Sequence, residues 1–174
     1  MQKVCFYPRF LCQINTSCQI RNPSDALRKV ELLLQKGADP NSTDGNGNTP
    51  LMLVARYCEL ADVGEITRIL VRAGTNLDVQ NSAGRTALSL LFHREVIFEP
   101  IKLVKILVDS GANTEIADSK GVTPLHASVG YFLHIYFECS LFLIENGTNL
   151  FTKSTEGYSV FSHLHRYREE DTIP

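Results

Sequence analysis

The chain has little of what chemistry usually requires. Its five cysteines are spread through 174 residues with no Cys-x-x-Cys pair. An odd number without paired spacing reads as reduced thiols, as expected of a cytoplasmic or nuclear protein. Cys5, Cys12 and Cys18 lack the spacing of a zinc site, and His163 and His165 straddle one residue and point to different helix faces. Gly45 and Gly47 look like a phosphate loop only until one notes that no lysine follows. No nucleophile has a base in a recognisable motif. Catalytic residues, metal sites and cofactors are therefore not expected.

Charge and hydropathy are also unremarkable. Seventeen Lys and Arg face nineteen Asp and Glu, and a net charge of −2 gives no electrostatic footprint for nucleic acid. No apolar run reaches the ~18 residues of a membrane span. The stretch from Tyr131 to Ile144 is broken by His134, Glu138 and Ser140, and reads as a buried helix pair. The opening MQKVCFYPRFLC is interrupted by Pro8 and Arg9 and makes a poor signal peptide. Asn15-Thr16-Ser17, Asn41-Ser42-Thr43 and Asn146-Gly147-Thr148 match the glycosylation pattern, by coincidence in an intracellular chain.

What the chain does have is a period. GADPNSTDGNGNTPLMLVA begins at Gly37, GTNLDVQNSAGRTALSLLF at Gly74, GANTEIADSKGVTPLHASV at Gly111 and GTNLFTKSTEGYSVFSHLH at Gly147. The leading glycines lie 37, 37 and 36 residues apart, and Gly47, Gly84, Gly121 and Gly157 keep the same spacing. Two independent marks with one period mean one structural unit repeated.

Each unit can be read physically. The first glycine ends a helix in the left-handed conformation, and the second sits in a tight turn that needs positive φ. Thr49-Pro50, Thr86-Ala87, Thr123-Pro124 and Ser159-Val160 then supply an N-cap and a first helical residue. Leu51, Val54 and Ala55 line one face of a first helix; Leu88, Leu91 and Phe92, and Leu125, Ser128 and Val129, repeat the pattern. Ile66, Ile69, Leu70 and Ala73 form the stripe of a second helix, matched by Leu103, Ile106, Leu107 and Ser110. Neither helix can bury its stripe alone, so neighbouring units must stack.

Asp118, Gly121 and Thr123-Pro124-Leu125-His126, with Gly111-Ala112-Asn113 before them, resemble the ankyrin repeat over roughly residues 24 to 168. The resemblance implies an all-α solenoid of helix-turn-helix units joined by β-hairpin-like loops. It also implies that His126 braces its turn and links neighbouring repeats. Met52, Ser89 and Ser162 replace that histidine elsewhere. The period exceeds the family's usual ~33, and the extra residues lie between the two helices. Four residues is about one helical turn, so either the first helix lengthens or the loop projects further.

This reading divides the chain into an irregular segment over 1–23, where a degenerate cap is one account, and an ankyrin domain over 24–174. The domain comprises a half repeat at 24–44, repeats at about 45–80, 81–117 and 118–153, and a partial repeat at 154–174. Leu27, Val30, Leu33 and Leu34 would be the buried stripe of the half repeat. Degenerate terminal units and a fragment of a longer array explain the ends equally well.

The resemblance places partners on the hairpin tips and the inner face of the first helices. Carried over by position, the tips offer Asn46, Asn48, Arg85, Lys120, Lys153 and Tyr158, and the inner helices offer Arg56, Tyr57, His93, Arg94, Tyr131, Arg166 and Tyr167. Arg and Tyr often carry interface energy, so the ladder suggests an acidic or phosphorylated protein segment. The same residues could equally serve to solvate long helices. The expectation is a monomeric, non-enzymatic protein-binding module, an adaptor or scaffold, without nucleic-acid or membrane-spanning roles. An inhibitor-like array masking an acidic partner, or the targeting part of a larger enzyme, channel or toxin, are the alternatives.

Overall fold

The computed structural model describes residues 23–57, 63–93, 100–129 and 133–162, and within them the secondary structure is helical with no sheet. Seven helices are described: α1 (Pro23–Gln35), α2 (Pro50–Tyr57), α3 (Val63–Arg72), α4 (Ala87–Leu91), α5 (Pro100–Asp109), α6 (Pro124–Ser128) and α7 (Leu133–Glu145). A further helical turn begins at 160–162.

The sequence's punctuation sets the ends of these helices. At the end of α3, Gly74 has φ +83°, its N–H donates to the Val71 carbonyl, and Thr75 N–H reaches back to Leu70. This paired closure satisfies carbonyls that the helix leaves open. It recurs at Gly37, Gly111 and Gly147. At the other end, Thr86 and Thr123 adopt extended backbone angles, and their hydroxyls accept from the N–H groups of Ser89 and His126. Thr49 and Ser159 accept likewise from Met52 and Ser162.

The helices pack as two rows. α2, α4 and α6 form one; α1, α3, α5 and α7 form the other; and each first helix also touches its own second helix. Between the rows lie Leu51, Leu88 and Leu125 from the first helices and Leu70, Leu107 and Leu143 from the second, all essentially inaccessible. Tyr136 closes the last junction. Its hydroxyl donates to the Leu91 carbonyl at 2.9 Å, and its ring meets Phe92 edge-on at 5.2 Å.

Several expectations change in detail. Ala73 and Ser110 are exposed rather than in the stripe, because their helices have already ended at Arg72 and Asp109. Met52 and Leu53 are buried beside the predicted positions, since α2 is covered by α4 and α3 together. In the half repeat Ala26 and Val30 are buried, while Leu27, Leu33 and Leu34 are half-buried. Among the first helices α2 has eight residues and α4 and α6 have five each, and the expectation about the extra residues of the period falls on 58–62, 94–99 and 130–132, which lie outside the described residues. The stretch from Tyr131 to Ile144 is not a buried helix pair. From Leu133 onward it is the single helix α7, with Phe137, Leu141 and Ile144 exposed.

The hairpin loops carry a constraint of their own. Ser82 N–H donates to the Asn46 carbonyl, Ser119 to Ala83 and Thr155 to Lys120, at 2.9 to 3.1 Å, so each hairpin bonds directly to the one before. That approach leaves no room at the turn glycine. A Cβ on Gly84 would lie 2.6 Å from Ser119 N, and one on Gly121 2.7 Å from Thr155 N. These glycines are needed for positive φ and also for contact with the next backbone.

Gly74→Ala, with φ +83° and no neighbour within 4 Å, should cost only the left-handed penalty of about 1–2 kcal/mol. Gly84→Ala adds the clash with Ser119 and should cost clearly more; equal urea midpoints for the two variants would refute hairpin contact as a stabilising link. Leu107→Ala, at the junction of two rows, should lose about 2–5 kcal/mol in the same melts.

Candidate protein-binding face

The hairpin tips are held by acceptors at one repeated position. Asp44 Oδ1 accepts from the N–H groups of Asn46 and Asn48, Asn81 Oδ1 from Ala83 and Arg85, and Asp118 Oδ1 from Lys120 and Val122. In the last unit Ser154 Oγ accepts from Tyr158 alone. Burial by itself would raise the pKa of Asp44; the amide and N–H of Asn48 and the N–H of Asn46 outweigh it and hold the carboxyl below 3.8.

A second row of acceptors ties each unit to the next. Asn41 Oδ1 accepts from Asn76 N–H at 2.6 Å, Asp78 Oδ1 from Asn113 at 2.8 Å and Glu115 Oε1 from Asn149 at 2.8 Å. Sequence reading missed this row, although 41, 78 and 115 keep the period of 37. The varied side chains concealed it: what is repeated is an acceptor, not a residue.

The site residues expected from sequence fall into distinct environments. Asn46, Lys120 and Lys153 are exposed on the first, third and fourth hairpins. Asn48 is buried and spends its amide internally, donating to Asp44 and accepting from Asn81 Nδ2 at 2.8 Å. It serves the hairpin rather than its surface. Arg85 is half-buried and directs Nε toward the buried Asp118 carboxylate at 3.5 Å. Tyr158 is half-buried. Arg94, Tyr131, Arg166 and Tyr167 lie outside the described residues, as does the side chain of Tyr57.

Charged groups of two units act on one histidine. Arg56 is exposed at the end of α2, and His93 follows α4 with its Nδ1 at 2.9 Å from the Ser89 carbonyl. Packing around the imidazole is the main cause lowering its pKa from 6.5, and the Ser89 carbonyl opposes it. Arg85 and Arg56 lower it further, against Asp118. Guanidiniums of two adjacent repeats thus act electrostatically on one histidine, opposed by the buried Asp118 carboxylate.

His126 is wholly buried and plays the structural part expected of it. Thr123 N–H and hydroxyl approach its Nδ1 at 3.4 and 2.7 Å, so Nδ1 accepts and the neutral ring carries its proton on Nε2. Burial lowers its pKa from 6.5, while the Tyr158 and Thr152 carbonyls of the following unit favour the charged ring. Met52 Sδ takes the same reciprocal place opposite Thr49 N–H. Cys139 is buried too, its thiol pushed up to about 12 by burial and then by Glu138, which removes its nucleophilic character. Among the described residues, no group of three or more His, Cys, Asp or Glu is placed to hold a metal ion, and no helix is long and apolar enough to cross a membrane.

A folded-state histidine pKa below 6.5 means that the unfolded chain takes up the proton first as pH falls. Stability should therefore be full above about pH 7.5 and decline as pH drops through 6.5 toward the lower folded value. Urea melts from pH 8 to about pH 5 should show this slope, and His126→Gln should flatten it whatever its effect at pH 8. An unchanged slope in the variant would remove His126 as its source.

A family model described as ankyrin repeats in three copies matches the chain over residues 19–96 and again over 58–154. No curated protein matches it.

Proposed function

Because the chain belongs to the ankyrin-repeat family, whose arrays generally mediate protein–protein interaction, we propose that it is a non-enzymatic adaptor or scaffold binding an acidic protein segment. The observation that supports this reading is the exposed Arg56 at the end of α2, which together with Arg85 of the adjacent unit acts electrostatically on His93. Lys120 and Lys153, exposed on the hairpins, extend the same sign of charge. Carboxylates or a phosphoryl group would meet guanidiniums able to form paired, charge-assisted hydrogen bonds. A near-neutral protein with cations gathered on one face gains selectivity and encounter rate from them more than bulk attraction.

Within this proposal residues 24–174 act as one array in the cytoplasm or nucleus, working as a monomer. Arg94, Tyr131, Arg166 and Tyr167 extend the surface by their repeat positions, with the tyrosines as flat anchors. Asn48 is left out of the binding set, since its amide already serves Asp44 and Asn81.

Arg56→Ala combined with Lys120→Ala tests the surface without touching the Arg85 clamp. Both positions are exposed, so melting should shift by no more than about 0.5 kcal/mol. Capture of the partner from extract should weaken about tenfold, and raised salt should weaken wild-type capture too. Retention of every captured protein by the double variant at both low and high salt would show that these cations only solvate the array.

A further inference from the structure

Two asparagines of the chain precede glycine, in Asn46-Gly47 and Asn146-Gly147. Asparagine is thermally labile, and most so before glycine, whose nitrogen has no neighbouring side chain to block its approach to the amide carbon. Both asparagines are exposed, so accessibility does not separate them. Their side-chain bonding does. Asn146 Nδ2 donates to the Phe142 carbonyl at 2.8 Å, one turn back along α7. Asn41, Asn48, Asn76, Asn81, Asn113 and Asn149 each commit an amide atom to a partner as well. Among the described asparagines, Asn46 alone has a side-chain amide with no hydrogen bond. Only its main chain is held: its N–H donates to Asp44 Oδ1 at 2.8 Å, and its carbonyl accepts from Ser82 N–H at 2.9 Å.

We propose that Asn46 is a site of spontaneous deamidation, where the first hairpin acquires a carboxylate and, in part, an isoaspartyl linkage. The Gly47 nitrogen attacks Asn46 Cγ. The N–Cγ bond forms, the Cγ–Nδ2 bond breaks, and ammonia leaves with the proton that the Gly47 N–H gives up. Water then opens the cyclic imide. Addition at Cγ restores the original chain with aspartate at position 46. Addition at the main-chain carbonyl breaks the C–N bond there and runs the chain through Cβ and Cγ. Water is the only reactant added. Gly47 N–H is bonded to the Asp44 carbonyl at 3.0 Å, so the turn must open before the attack. Local opening of a surface turn costs less than global unfolding. Asp44 also precedes a glycine, but its carboxyl accepts three N–H bonds from Asn46 and Asn48 as an anion, which is a poor electrophile.

The hairpin has little room for the product. Isoaspartate inserts one more main-chain carbon before Gly47, which has φ +76° and where a Cβ would already lie 3.3 Å from Asn81 Cα. Moving Gly47 breaks the closure of the turn on the Asp44 carbonyl. One residue on, it disturbs the bonds that Asn48 makes to Asp44 and Asn81. Either product also sets a negative charge beside the Asp44 carboxylate, and no Lys or Arg occurs between Gly37 and Thr49 to offset it. The first hairpin thus loosens from the second as the protein ages, whatever partner the array holds.

The test is incubation of the full chain in mildly alkaline buffer, native or unfolded in guanidinium chloride. Peptide mapping then separates asparagine, aspartate and isoaspartate at each position. In the native chain Asn46 should react about tenfold faster than Asn146, the difference made by one amide hydrogen bond; in the unfolded chain the two should react alike. Aged native protein should then unfold at a lower urea concentration than fresh protein. Asn46→Gln, whose longer side chain closes an imide ring far more slowly, should match fresh wild type and keep its midpoint on ageing. Asn146→Gln should lose as much on ageing as wild type does. Equal rates at Asn46 and Asn146 in the native chain would overturn the proposal. So would a native Asn46 still intact after the unfolded chain has reacted, or an Asn46→Gln variant whose midpoint falls with age as far as that of wild type.

Discussion

The backbone hydrogen bond from one hairpin to the previous one is the contact on which the array depends. It fixes the distance and register between units at a point where no side chain adjusts the fit. Ser119 N–H can reach the Ala83 carbonyl because Gly84 presents no Cβ, and Thr155 reaches Lys120 past Gly121 in the same way. Once that spacing is set, the two helix rows meet at a separation that leucines fill, and the acceptors at 41, 78 and 115 can each find the N–H of the next unit. A solenoid without long-range topology gains its cooperativity from such repeated neighbour terms.

The last described unit departs from the repeated pattern of acceptors. Phe151, 80% accessible, stands where Asn41, Asp78 and Glu115 act as acceptors, and Ser154 replaces the carboxylate or amide of the hairpin. Apolar side chains are exposed on α7, at Phe137, Leu141 and Ile144, and at Phe161.

The proposed binding surface is built on held side chains rather than on free loops. Arg85 is held by Asp118, whose other oxygen closes the following hairpin, so the position of the cation is coupled to the stacking. His93 is fixed through the Ser89 carbonyl at 2.9 Å. An acidic ligand would meet charges already in place, with little ordering left to lose on binding. Polar residues that are legible as surface in a linear sequence divide on folding: Asn46 remains outside, whereas Asn48 turns inward to its own hairpin.

The sequence by itself determined the repeating unit, its helix ends and most of its buried stripe. These are local matters: a glycine's backbone freedom, a threonine's capping hydroxyl and the 3.6-residue period act within a few positions of one another. Tertiary structure decided what depends on neighbours. It showed that Gly84 is required by the next hairpin as well as by its own turn, that Met52 and Leu53 are enclosed, and that α7 is one helix with an open side. It also let Arg56 and Arg85 act electrostatically on His93, which is up to 37 positions from them in the chain. No pattern along a sequence states which face a following unit will cover, because burial belongs to the pair of surfaces and not to either one alone.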